Sequence, residues 1–206
     1  MNNTVGIIDI KMGNLYSLEK LFKFLNQNYI ISNNPRILKK CSRLILPGVG
    51  AFKTAMNKIK KNKLSEFIIS EAQKNKPILG ICLGMQLLGK KSFESGETIG
   101  LNLNDLVFKP SKNESNIMDF HIGFNQVEFP KNSILSKNIP NNSDFYFVHG
   151  FYAMIGNNLP NYGFTKYKKK FVSLYEKKNI FGVQFHPEKS QKNGIILIKN
   201  FLDYSC

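Results

Sequence analysis

Residues 77–88 read PILGICLGMQLL. An apolar run with strand character, PILGI, passes within one turn into LGMQLL, which has helical character, and Cys82 stands at the joint with Gly80 and Gly84 two places to either side. A strand that turns straight into a helix crowds its own backbone, and residues without side chains relieve that crowding. The spacing is that of the Gly-x-Ser-x-Gly elbow, with sulfur in place of the hydroxyl. A cysteine so placed lies at a helix start, where unpaired N–H groups and the macrodipole favour a thiolate and the N–H of Leu83 can face an oxyanion. A thiol merely packed at a glycine-rich helix start would look the same, so the motif alone leaves both readings open.

The elbow sits in a regular alternation. TVGIIDI (4–10) is apolar on both faces, as a buried parallel strand is. Leu15, Leu18, Phe22 and Leu25 then recur at helical spacing. YIIS (29–32) and RLILP (43–47) read as strands, and 51–74 as a helical stretch broken near Asn62. PILGI is the next strand, and LGMQLLGKKS is expected to be a helix. Strand–helix alternation of this kind predicts a doubly wound parallel sheet. The second half differs: FNQVEFP, DFYFVHGFYAM, GFTKY, FVSLYEKK and IFGVQFHPE are short strand-like runs divided by Asn, Gly and Pro. A last helix, NGIILIKNFLDY, is expected to pack Ile195, Ile198, Phe201 and Leu202 on one side. The expected fold is α/β: an open, mostly parallel central sheet flanked by helices, with antiparallel additions in the second half, over one domain spanning 1–206.

The formal charge of +15 invites a nucleic-acid reading, but only Arg36 and Arg43 among the 29 basic residues are arginine. Specific phosphate recognition favours the guanidinium fork, and lysine excess alongside abundant asparagine follows more simply from AT-rich codons. KIKKNK (58–63) and KYKKK (166–170) read as solvated faces, and no nucleic-acid partner is expected. No signal-like N-terminus and no apolar run near the roughly 20 residues of a membrane span are present, so the expectation is a cytoplasmic protein without a membrane partner. Cys41, Cys82 and Cys206 are too scattered for a disulfide framework or a C-x-x-C metal pattern; no metal and no cofactor are expected.

An elbow thiol needs a base, and the base an orienting group. His186 closes the apolar run IFGVQF, placing it at the carboxyl end of a central strand, the edge where open α/β sheets hold ligands. Pro187 biases it toward extended backbone, in which Glu188, two residues on, points the same way and can hold the imidazole's tautomer. His149 and His121 lack an acidic residue at i+2 and read as packing or loop hydrogen-bonding groups. In LILPGVGAF (44–52), glycines on both sides of Val49 let a peptide N–H turn toward a ligand, as a second oxyanion donor, although a tight turn from strand to helix would use glycine there as well.

Together these segments resemble a class I (triad) glutamine amidotransferase. GIIDIKMGNLYSLEKLF, LPGVGAF, GICLGMQLL, the YFVHGFY region and GVQFHPEKS, in that order, are most similar to the glutaminase subunits of imidazole glycerol phosphate synthase. The resemblance implies Cys82 as nucleophile, His186 as general base and acid, and Glu188 as orienter. Leu83, Val49 and Gly50 would form the oxyanion site, and Gln86, Glu94, Gly150 and Phe151 would hold the substrate, L-glutamine. It also implies a heterodimer with a (β/α)8 barrel cyclase subunit that receives the ammonia. Ile10 and Lys11 ahead of MGN, Phe120 and Phe124 in FHIGFN, and Gly150 in VHGFY depart from the family's usual loops. These departures keep open a paralogue feeding ammonia to acetamidino-sugar synthesis. An elbow-cysteine hydrolase of another kind and a silent binding module are the remaining alternatives.

Overall fold

The computed structural model describes residues 4–13, 15–111, 119–153 and 161–205. In chain order the elements are β1 (Val5–Ile8), α1 (Leu15–Phe24), β2 (Tyr29–Ser32), α2 (Pro35–Leu38), β3 (Arg43–Leu46), α3 (Phe52–Lys61), α4 (Leu64–Gln73), β4 (Ile78–Ile81) and α5 (Leu83–Leu88). There follow β5 (Lys91–Ser92), β6 (Thr98–Ile99), β7 (Val107–Pro110), β8 (His121–Val127), β9 (Ser143–His149), β10 (Phe151–Ala153), β11 (Tyr162–Tyr167), β12 (Lys169–Lys177), β13 (Ile180–Val183) and α6 (Gln191–Asp203).

The central sheet has seven strands in the order β11-β12-β13-β4-β3-β1-β2. From β2 to β13 its neighbours are parallel, while β12 and β11 add antiparallel at one edge. Both faces are covered. Leu44, Leu46 and Ile78 point into a core with Phe52, Met56, Ile59 and Ile68 of α3 and α4. Ile45, Leu79 and Ile81 point the other way, onto Leu18 and Phe22 of α1 and Leu197, Ile198 and Phe201 of α6. This is the reason the strands read as continuous apolar runs.

Several local expectations shift. The helical stretch at 51–74 breaks as expected, with Asn62 closing α3 and Lys63 left-handed at φ 54° before α4. The helix after Cys82, however, ends at Leu88, and Lys91–Ser92 is already strand. On α6 the buried residues are Gly194, Leu197, Ile198 and Phe201, whereas Ile195 and Leu202 are only partly buried. DFYFVHGFYA is two strands in different sheets, Met154 lying outside the described residues: β9 pairs with β8, and after Gly150 the chain joins β10 to β7 in a small sheet of order β10-β7-β5-β6. Among the described residues, no helix is long and apolar enough to cross a membrane.

Candidate active site

Three segments converge because three neighbouring parallel strands end at one edge. β4 lies between β3 and β13, with Gly80 opposite Leu46 on one side and Gly182 on the other. Beyond β4 comes Cys82, beyond β13 come Gln184 and His186, and beyond β3 comes the loop Pro47–Gly50.

The elbow is strained and sterically enforced. Cys82 has φ 52° and ψ −110°, backbone angles that cost a non-glycine residue about 1–3 kcal/mol. A Cβ on Gly84 would fall 1.6 Å from the carbonyl oxygen of Leu46, and one on Gly80 2.6 Å from the amide nitrogen of Met85. Both glycines are therefore required by close backbone approach. The N–H of Cys82 donates to the Val183 carbonyl at 2.8 Å, which ties the turn to β13.

The imidazole of His186 is almost fully buried, and its Nδ1 lies 2.7 Å from Oε1 of Glu188. The route to this contact differs from the extended geometry expected: Pro187–Lys189 form a 3-10 turn, which brings the carboxylate to the ring nitrogen Nδ1. The backbone of His186 is held by its N–H to Tyr146 O, and the Ser190 hydroxyl bridges His186 O and the Tyr146 N–H. On the far side of the ring, Nε2 is buried without a well-aligned hydrogen bond, and the Cys82 sulfur is near enough to act on it. Burial alone would suppress protonation of this ring; Cys82 and Glu188 outweigh burial and raise its pKa above the ordinary histidine range. The sulfur also lies 3.6 Å from Nε2 of Gln184 and 3.9 Å from the Val148 carbonyl oxygen.

A buried elbow cysteine, an imidazole held by a carboxylate and a glycine-rich turn beside them form a nucleophile–base–orienter set. Comparison with known families accords with this arrangement. The glutamine amidotransferase class-I family model matches residues 7–203. The chain belongs to that family. Among its relatives, an imidazole glycerol phosphate synthase subunit HisH from Parasynechococcus marenigrum is 41% identical over 205 residues, covering 98% of each chain. The subunit of the same name from Caldanaerobacter subterraneus is 40% identical, covering 96% of each. Solved structures share the fold at low identity. The crystal structure of a glutamine amidotransferase superposes with a TM-score of 0.71 at 14% identity, covering 97% of each chain; PurLQS from Thermotoga maritima does so at 0.70 and 18%, covering 99% of each.

In this amidotransferase the remaining site residues expected from sequence lie round the same edge, in a closed arrangement. The N–H of Leu83 does not face an open site: it donates to Gly48 O at 3.3 Å. The N–H of Val49 likewise donates to Met12 O at 3.2 Å. Neither expected donor is free: one amide is taken by a carbonyl of the Pro47–Gly50 loop, the other by a carbonyl of the segment between β1 and α1. Gly50, at φ 100°, carries the turn. Glu94 accepts a hydrogen bond from the N–H of Phe52, the first residue of α3, and so caps the helix that follows the loop. The Gly150 carbonyl accepts from Ser111 N–H, and the Phe151 carbonyl lies 3.0 Å from Nδ1 of His149. Gln86 donates through Nε2 to Oε1 of Gln184 at 3.1 Å.

Cys41 is buried against the Ile37 carbonyl, away from this edge, and Cys206 lies outside the described residues. Sequence reasoning did not single out Gln184 or Ser190. A polar residue inside the buried run IFGVQF was the available signal for the first; the second carried none.

Proposed function

We propose that this chain is the glutaminase subunit of an imidazole glycerol phosphate synthase, hydrolysing L-glutamine and passing the ammonia to a (β/α)8 barrel cyclase subunit in histidine biosynthesis. The observation that carries the reading is the convergence of Cys82, His186 and Glu188 at the carboxyl ends of adjacent strands β4 and β13. The Cys82 thiolate attacks the carboxamide carbon of glutamine. The C–N bond then breaks as His186, held by Glu188, gives a proton to the departing ammonia. His186 next takes a proton from water, the hydroxide adds to the thioester carbon, and glutamate leaves the sulfur.

The closed Leu83 and Val49 amides support a gated enzyme. Loss of one oxyanion donor raises a barrier by about 2.7–4 kcal/mol, and here two are engaged elsewhere. Reorientation of the Gly48–Gly50 peptides on partner docking would free both. A docking face lies one strand away: on β8, Ile122 and Phe124 are more than half exposed, and they pair with Val148 and Tyr146, whose carbonyls touch Cys82 and His186. The shared synthase name of the relatives favours the histidine route over sugar amidination.

The test is Cys82→Ala in complex with the cyclase subunit. Glutamine-dependent turnover should vanish while free ammonia still supports the synthase. Retained glutamine hydrolysis would remove the reading. The isolated subunit should hydrolyse glutamine slowly; full rate without the partner would refute the gate.

A further inference from the structure

Gln184 is fully buried, and both ends of its amide are engaged. Its N–H donates to the Cys82 sulfur at 3.6 Å, and its oxygen accepts from the Gln86 amide at 3.1 Å. We propose that Gln184 is a positioning residue that orients the nucleophile and sets the polarity with which Gln86 meets the substrate. This rests on the glutaminase reading and extends it to how the site chooses its substrate.

Sulfur, as thiolate, can only accept, so the NH2 end of Gln184 must face it and the carbonyl must face away. That carbonyl can only accept, so Gln86 must turn its NH2 toward Gln184. The Gln86 oxygen is then the end left over, and among the described residues it accepts no hydrogen bond. Flipping either amide would set two donors or two acceptors against each other in a buried site, which leaves polar groups unpaired. In its thiolate form the nucleophile thus dictates, through two amides, that the side chain of Gln86 offers an acceptor. An acceptor suits a substrate bearing N–H donors at its reacting end, such as a primary carboxamide, and disfavours one presenting a carboxylate there. On this account the product glutamate, whose new carboxylate has no N–H to offer, is held less well than glutamine.

The position of Gln184 follows from the sheet. The N–H of Cys82 bonds to Val183 O, so the residue after Val183 is carried beside the sulfur. Gln86 lies one helical turn after Cys82 on α5, its N–H donating to Cys82 O, so both amides are anchored to the elbow itself.

The experiment compares Gln184→Met, Gln86→Met and the double variant in the complex with the cyclase subunit. Three readouts are taken: glutamine kcat and KM, product inhibition by glutamate, and alkylation of Cys82 by iodoacetamide at neutral pH. Gln184→Met should lower kcat/KM by about ten- to a hundredfold, the loss expected for a hydrogen bond to a charged group, and should slow alkylation. Gln86→Met should act mainly through KM and weaken the preference for glutamine over glutamate. The double variant should be no worse than the poorer single variant, because the two amides act as one unit. Independent, multiplying losses, or unchanged alkylation in Gln184→Met, would overturn the proposal. If Gln184→Met does not fold by thermal melting, Gln184→Glu replaces it: the acceptor for Gln86 is kept and the donor to sulfur lost, so alkylation should fall more than KM rises. A wild-type complex without glutamine hydrolysis would sink the glutaminase reading itself. An active wild type with unaffected variants would sink only this relay.

Discussion

His186 and the pair His121–His149 are all buried, yet they titrate in opposite directions. His121 is sandwiched between Phe147 and Tyr167 at ring distances of 4.6 and 4.2 Å, and His149 packs on Tyr152 and Phe171. Burial dominates for both. It lowers His121 to about 4 despite the nearby Asp119, and His149 to about 3 despite its bond to the Phe151 carbonyl, with His121 and His186 adding repulsion. His186 is buried as deeply but has Glu188 on one nitrogen and Cys82 beside the other, and its pKa rises. Burial keeps a histidine neutral unless an anion is bonded directly to the ring, as Glu188 is to His186 and Asp119 is not to His121. Of the three buried imidazoles, only the one beside the elbow is built to carry charge.

The largest effect that could break this contrast comes from Glu188→Gln, which leaves His186 with a neutral neighbour. Glutamine-dependent kcat in the complex should fall by about 10^4-fold, as when a catalytic histidine loses its orienting carboxylate, while ammonia-dependent turnover persists. Near wild-type kcat would mean that the carboxylate is not what separates His186 from the others.

Next comes acid stability. The lowered folded pKa values of His121 and His149 mean that the unfolded chain binds protons first as the pH falls below about 6.5, so stability is lost from there toward about 4 and 3. Each histidine should remove about 1.4 kcal/mol per pH unit in that window, measured by denaturant unfolding. His186 runs the other way: its contribution is complete below about 6.5 and is lost as the pH rises through about 10. His121→Phe, which retains the ring stack, should flatten the acid limb; an unchanged slope would show that His121 does not titrate as its surroundings require.

A smaller effect probes the strain beside His186. Cys82→Gly should abolish glutamine hydrolysis yet stabilise the chain by about 1 kcal/mol, because glycine tolerates φ 52° and ψ −110° without the steric cost. Unfolding midpoints of the two proteins decide it. The smallest effect on the free chain is expected at Ile122→Asn on exposed β8, within about 0.5 kcal/mol, although activation by the cyclase subunit should weaken. A large loss of stability there would make that strand part of the core rather than a docking face.

Much of the fold was legible because burial on both faces of a parallel sheet writes itself as apolar runs, and because an elbow needs glycine where backbones touch. The small sheet β10-β7-β5-β6 was not legible. Two of its strands are two residues long, too short for any period, and the pairing of β10 with β7 joins segments some forty residues apart. Glu188 was found by its spacing from His186, although a 3-10 turn, not an extended strand, makes the contact.

The sequence by itself determined which groups could do chemistry: one thiol between two glycines, one histidine with a carboxylate two residues on, and a glycine-flanked loop after a buried strand. Only the tertiary structure decided their state. It laid β4 beside β13 and so brought Cys82 to His186. It placed Gln184 on the sulfur, and it turned the Leu83 and Val49 amides onto Gly48 and Met12 carbonyls. The physical reason is that residue type specifies a donor or an acid, whereas the direction of a peptide N–H and the company of a buried charge are set by whatever distant segments pack against them.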